Sequence, residues 1–367
     1  MTSSKVYFSD LSSGSKENNL INRIGRLFKK AGEGIEYDKD DLVALKLHFG
    51  EKGIDTFLRP VQVEPIIKAV RDTGGKPFLA DSNTLYSGSR ANAVDHHKTA
   101  QENGWVRPVV SAPVVIADGL HGNEFYTVEI DGKHFDEVKI GAGFFQADGI
   151  VGVSHFKGHG MTGFGGTLKN LGMGCASRAG KLMMHYNVEP EVNIDECIGC
   201  GKCAIWCPAE AIEVEQYAEI DLEKCIGCGE CRIVCPEGAI QVKDSSSNLE
   251  IQEKIAEFAH GSLVDKYDKS LFFNFVVDVT PECDCPPWRK YPMVPDIGII
   301  ASKDPIAVDQ AAFDLVKEEK GREYGAGIDK FGKEHDLDPT AQLKHGEKIG
   351  LGTREYELID ISDISGE

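Results

Sequence analysis

The chain has 367 residues, of which 41% are hydrophobic and 27% charged, with a formal net charge of -19 and 11 cysteines. The length is more than that of a typical single domain, and the acidity excludes the basic footprint on which nucleic-acid binding depends. No run of about 18 apolar residues occurs, so no membrane span is expected, and the opening MTSSKVYFSD has no apolar signal segment, which points to a cytoplasmic protein.

In chain order, KENNLINRIGRLFKKAG places Leu20, Ile21, Ile24, Leu27 and Phe28 on one helical face. LVALKLHFG at 42–50, VQVEPIIKAVRDTGG and KPFLADS at 76–82 then read as strand, helix and strand, a parallel βαβ unit. A further strand, GIVGVS at 149–154, runs into a glycine-rich stretch, HFKGHGMTGFGGTLKNLGMGC at 155–175, with a helix beginning near Thr167. A loop of small residues at the carboxyl edge of a parallel sheet exposes amides that can cradle an anion. Gly163, Gly165 and Gly166 are therefore candidate ligand-binding positions. His155, Lys157, His159, Lys169 and Asn170 are candidate catalytic or charge-neutralising side chains. His48 and the His96-His97 pair are weaker candidates for the same cleft. The alternative for the glycines is a tight crossover turn with no ligand.

Eight cysteines fall in two copies of one pattern, CIGCGKCAIWCP at 197–208 and CIGCGECRIVCP at 225–236. Cys-x2-Cys-x2-Cys-x3-Cys-Pro is the bacterial ferredoxin spacing, in which three thiolates wrap one iron-sulfur cube and the fourth ligates the other. The expected sets are Cys197, Cys200, Cys203 and Cys235 for one 4Fe-4S cluster, and Cys225, Cys228, Cys231 and Cys207 for the second. Gly199, Gly201, Gly227 and Gly229 suit a backbone that must fold around a cube with positive φ. Zinc sites more often use two separated Cys-x2-Cys pairs, and disulfides need an oxidising compartment. Trp206 is expected to shield a cluster from water.

After this segment, LFFNFVVDVT at 271–280 and DIGIIAS at 296–302 read as strands, and DPIAVDQAAFDLVKEE as a helix capped by Asp304. Between the strands lies ECDCPPW. Cys283 and Cys285, joined by Cys175, are expected to hold a third metal centre, either a 4Fe-4S cluster or zinc; otherwise Cys175 is a small core residue and the Cys-x-Cys a surface turn.

The fold expected is α/β, a mostly parallel sheet core with an inserted α+β two-cluster ferredoxin domain. Its parts are a discontinuous α/β domain of residues 1–187 and 244–367 and an insert of 188–243. LKLHFG, PFLADSNTLYSGSR, GTLKNLGMGC and ASKDPIAVDQ together resemble the domain of unknown function 362 family over essentially the whole chain. That resemblance implies an α/β fold and iron-sulfur binding, without a settled reaction.

The functional expectation is an iron-sulfur oxidoreductase of a reduced, anaerobic cytoplasm. A soluble electron donor or acceptor protein would be its partner and an anionic small molecule its substrate. The alternatives are a non-catalytic electron carrier or adaptor and a non-redox enzyme with structural clusters. A flavin has no signature in this sequence.

Overall fold

A computed structural model describes residues 3–362 apart from 87, 187–189, 208, 226–229 and 242–245, and, at 230 and 233, the backbone only. Sixteen strands are found among the described residues: β1 Ser4–Ser9, β2 Leu42–Lys46, β3 Lys76–Asp81, β4 Val114–Ile116, β5 Phe125–Glu129, β6 Glu137–Gly141, β7 Gly149–His155, β8 Lys157–His159, β9 Gly163–Gly165, β10 Glu191–Val192, β11 Ile212–Val214, β12 Ala218–Ile220, β13 Ile240–Gln241, β14 Leu271–Val276, β15 Gly298–Ser302 and β16 Tyr356–Asp360. Eight of them form one sheet in the order β16-β1-β15-β14-β7-β2-β3-β4. All its pairings are parallel except the two made by β15, which runs against β1 and β14. The fold is thus α/β with a mostly parallel sheet, to which strands from both sides of the cysteine motifs contribute, β1 lying between β16 and β15.

The central strands are apolar runs because helices cover both faces. Every residue of β7 and β14 is buried. Alternate side chains enter opposite cores: Ile150, Phe272 and Ile300 pack on one face, and Val151, Phe273 and Ile299 on the other. The first face is covered by the helices Thr167–Cys175, Asn248–Leu263 and Pro305–Glu318, the second by Leu20–Ala31 and Pro60–Asp72. Each fully buried Phe, Ile or Val stabilises by about 1.5–3 kcal/mol relative to exposure.

Asp304 caps its helix as the sequence suggests, its carboxylate accepting from the amides of Ile306 and Ala307 at 2.9 Å each. The Leu20–Ala31 helix departs in one respect. Ile21 is 39% exposed while Arg23 is buried, drawn inward by its ion pair with Asp10.

The cysteine motifs lie outside the large sheet. There β10 pairs with β13 and β11 with β12, both antiparallel, around a small cluster that includes Ile212, Ile240, Cys203 and Cys231. β10 corresponds to β12 in the internal repeat and β11 to β13, so the two ladders are pseudo-symmetric.

Candidate functional site

Parallel β2, β3, β7 and β14 end at one edge, so Lys46, Asp81, His155 and the chain after Val276 arrive together. They line a cavity of about 250 Å³, with the Thr167–Cys175 helix contributing Lys169 and Asn170.

One of its walls is a polar network. Lys46 Nζ donates to Asp81 Oδ1 at 3.0 Å, Asn170 Oδ1 at 2.9 Å and the Leu47 carbonyl at 3.1 Å. Burial alone would raise the Asp81 carboxyl, but Lys46, His96 and His48 outweigh it and hold it well below its ordinary range. Arg90 lies 3.6 Å from Asp81, donates to Glu51 at 3.2 Å and donates to the Tyr86 hydroxyl at 2.5 Å. Asn170 donates in turn to the Lys46 carbonyl at 2.9 Å and Ser154 Oγ at 3.1 Å, so this candidate catalytic residue is a strap between helix and sheet. Lys46, Asp81, Tyr86 and Arg90 escaped the sequence reading. The signal for Lys46 and Asp81 was their place as the last residues of adjacent parallel strands.

A second wall is built around Asp284. Its carboxylate accepts from Thr56 Oγ1 at 2.6 Å and His155 Nδ1 at 2.7 Å, and Lys157 Nζ lies 3.7 Å away. Burial opposes ionisation of Asp284, yet His155 and Lys157 hold it well below the usual carboxylate range. His155 Nε2 meets the Val277 carbonyl at 2.8 Å, so both ring nitrogens face oxygen acceptors and neither is left for a ligand. With Asp284 turned toward β7, Cys283 and Cys285 on either side of it face the cavity.

Cys285 Sγ is 4.0 Å from His48 Nε2. His48 Nδ1 accepts from the Gly50 amide at 2.9 Å, which leaves the proton on Nε2, facing the sulfur. Gly50 reaches this position with φ +85°, where a Cβ would fall 2.5 Å from the Phe57 ring. The adjacent Cys283 thiol, with His48 and Lys169, holds the Cys285 thiol well below its ordinary value against the effect of burial. The Cys285 sulfur, together with burial, pushes Cys283 well above its own.

The glycine-rich stretch is not an open amide cradle. It forms a β8-β9 hairpin, and the first helix amides after it are already engaged: Thr167 N and Leu168 N donate to Asp309 at 2.7 and 2.8 Å. A Cβ on Gly166 would lie 2.3 Å from the same carboxylate, and one on Gly163 would lie 2.3 Å from Pro339. Gly163, Gly165 and Gly166 therefore serve close packing, because the helix needs an acceptor and a buried aspartate supplies it. Positive charge at the cavity comes from side chains instead. Lys157 donates to the His155 carbonyl at 2.9 Å, whereas Lys169 has no hydrogen-bond partner among the described residues. Burial, then Lys169, lowers His159 well below its ordinary value, and burial, then Lys169 and Lys181, lowers His185 to about 4. Burial brings Lys181 down to about 8.

Cys175 is not brought to Cys283 and Cys285. It is fully buried in the core beside Ser262, where burial pushes its thiol up to about 12, and it does not line the cavity. Its place at the end of the Thr167–Cys175 helix turns it toward the Asn248–Leu263 helix. His48 stands beside the Cys-x-Cys pair in its stead. His96 is buried 3.5 Å from Asp81, and His97 lies on the exposed side of its helix.

In the cysteine-rich segment, Cys197, Cys200, Cys203 and Cys235 line one cavity. Gly199 and Gly201 beside it have φ of +63° and +71°. Backbone amides point at sulfur: Ala218 N to Cys197 at 3.4 Å, Ala211 N to Cys207 at 3.3 Å and Ala239 N to Cys235 at 3.2 Å. The last two are equivalent positions of the repeat. Cys207, Cys225 and Cys231 belong to the second expected set, of which Cys228, with Gly227 and Gly229, lies outside the described residues. Among the described residues no group of three or more His, Cys, Asp or Glu side chains closes on a single metal ion; these thiols surround a space instead. Four thiols with amide donors are the chemistry a cuboidal cluster requires, so the first set fits one. Trp206 is 47% exposed and meets His121 edge-on at 5.7 Å, joining the segment to the main body.

Fold and site thus define an α/β protein with a polar cavity at the carboxyl edge of its sheet and a cysteine-rich excursion beside it. Residues 43–314 match the family described as Domain of unknown function (DUF362), and the chain belongs to that family. None of the curated proteins matches it. Among solved structures it is similar to the lactate racemase apoprotein from Thermoanaerobacterium thermosaccharolyticum, at 12% identity and a TM-score of 0.33 over 75% of this chain and 51% of that one. It is also similar to a protein from Thermotoga maritima, at 11% identity and a TM-score of 0.40 over 85% of this chain and 61% of that one. The chain therefore spans between half and two thirds of the length of either. No helix among the described residues is long and apolar enough to cross a membrane.

Proposed function

We propose that the protein is an iron-sulfur oxidoreductase. In this reading residues 188–243 form an inserted two-cluster ferredoxin domain, residues 1–187 and 244–367 form the α/β domain, and the cavity at the sheet edge receives an anionic small molecule. The observation that carries it is the convergence of Cys197, Cys200, Cys203 and Cys235, three from one motif and one from the other, on a single cavity with amides directed at sulfur. Such clusters, when bound, supply electrons one at a time.

The chain's own residues fit the rest of that role. Lys157 and Lys169 offer positive charge to an anion, and Lys169 has no competing partner among the described residues. His159 and His185 are kept neutral by burial and the nearby lysines, while Lys181, near 8, can release a proton. His185 lines the cavity at the end of the Arg178–His185 helix, and Arg232 of the second motif lies over the ring of the next residue, Tyr186, at 5.0 Å. Iron and sulfide analysis with EPR of anaerobically prepared protein tests the clusters: eight irons and two interacting cubane signals are expected. Reduction by a soluble ferredoxin with no effect of Lys169→Ala on anion binding would remove the cavity from the proposal.

A carrier or adaptor is the second reading. Ile198 and Ile205 within the first motif are 64% and 82% exposed, a surface suited to docking an electron-transfer protein. Electron passage between two carrier proteins without turnover of any small molecule would favour it.

A further inference from the structure

The Cys-x-Cys pair is left over by that function, and its surroundings are specific. Cys283 and Cys285 both line the cavity, and Asp284 between them is anchored to Thr56 and His155. Two residues apart, their Cα atoms span at most about 7 Å. The chain bends at Asp284 and Cys285, and the Cα separations of roughly 4.4–6.8 Å that disulfides use fall within that span. The two thiols act on each other in opposite senses, Cys285 being held low and Cys283 high. Because the Gly50 amide occupies His48 Nδ1, His48 presents an N-H to Cys285 and not a lone pair to a metal. A histidine in this tautomer stabilises a thiolate and does not ligate an ion beside it.

We infer that Cys283 and Cys285 are a redox-active dithiol, with Cys285 the attacking thiolate, Cys283 the resolving thiol and His48 the residue that positions the thiolate. The oxidant is a small disulfide of the glutathione class. Cys285 sulfur attacks one sulfur of the disulfide, whose S-S bond breaks to release a thiolate. That thiolate takes the Cys283 proton and leaves as a thiol. Cys283 sulfur then attacks Cys285 sulfur and expels the second half as a thiolate. The protein pair loses two electrons and one proton, and the small disulfide is reduced to a thiol and a thiolate. No cluster takes part, so the inference stands apart from the electron-transfer reading.

The test uses the full chain, prepared anaerobically, with mass mapping of the peptide that contains residues 283–285. A short iodoacetamide pulse at pH 6 is expected to alkylate Cys285 on the order of tenfold faster than Cys283. Oxidised glutathione is expected to leave the wild-type peptide two hydrogens lighter with no adduct, and Cys283→Ser to stop at a glutathione adduct on Cys285. His48→Ala should move the pH profile of Cys285 alkylation upward, and His48→Gln, which retains an N-H donor, should restore it. Equal alkylation of the two cysteines, a stable glutathione adduct on wild-type Cys285, or no reaction of either reagent with wild type would each overturn the inference. The wild-type measurements decide the question even where a variant fails to fold.

Discussion

The large sheet and the cysteine-rich excursion solve the same problem with different materials. In the sheet, β7 and β14 are wholly buried, both faces are covered by helices, and the polar groups at the edge are paired through Lys46, Asp81, Asn170 and Asp309. The excursion has two ladders of two and three residues per strand and an apolar cluster in which two of five members are cysteines. Burial on that scale cannot offset the conformational entropy of ordering the segment. The contrast teaches that the sheet region is specified by apolar burial and hydrogen bonding, whereas apolar burial alone does not specify the excursion.

Iron removal should produce the largest divergence between the two. After anaerobic chelation, amide exchange in residues 190–241 should reach completion within seconds while amides of β7 and β14 stay protected; loss of protection in both would break the comparison. Cys207→Ala should release the cluster of Cys225, Cys228 and Cys231 more than that of Cys197, Cys200 and Cys203, and the reverse would overturn the crossed sets.

Within the sheet region, Lys46→Met should cost about 3–5 kcal/mol in urea unfolding, because it strands Asp81 and Asn170 in a buried network. Asp309→Ala should cost less, about 2–3 kcal/mol, by freeing the Thr167 and Leu168 amides. Asp309 also gives the sheet a pH dependence. Burial raises its carboxyl from 3.8 to about 6, so the folded state holds a proton that the unfolded chain has lost. Its contribution is present below about pH 4 and lost as pH rises through 6. Wild type should therefore lose stability relative to Asp309→Asn between those values, and a constant difference would exclude the shift. The smallest effect belongs to the excursion's surface: Ile205→Ser should change stability by no more than about 0.5 kcal/mol.

What could be read in the sequence followed from local chemistry. The apolar runs at 42, 149 and 271 became β2, β7 and β14, and Asp304 stood out as a cap because Pro305 follows it. The reversed β15 and the pairing of β1 with β16 were hidden, since both depend on partners far along the chain. The same distance explains the site. Thr167 and Leu168 looked like free amides until Asp309 arrived from the Pro305–Glu318 helix, and Cys175 looked like a ligand until Ser262 and the core claimed it. His48 was noticed only as a lone histidine, and its role lies in a hydrogen bond to Gly50 that no spacing announces.

The pairing of β10 with β13 has a consequence for the order in which the protein is made. Those two short strands tie the start of the excursion to its end, and the excursion departs and returns between β7 and β14, which are neighbours in the sheet. During synthesis all eight motif cysteines leave the ribosome before Leu271, so they are in solution while the middle of the sheet still lacks a strand. The thiols are therefore exposed to whatever they meet before the parent sheet can close, and the small ladder can hold the two ends of the excursion together in the meantime.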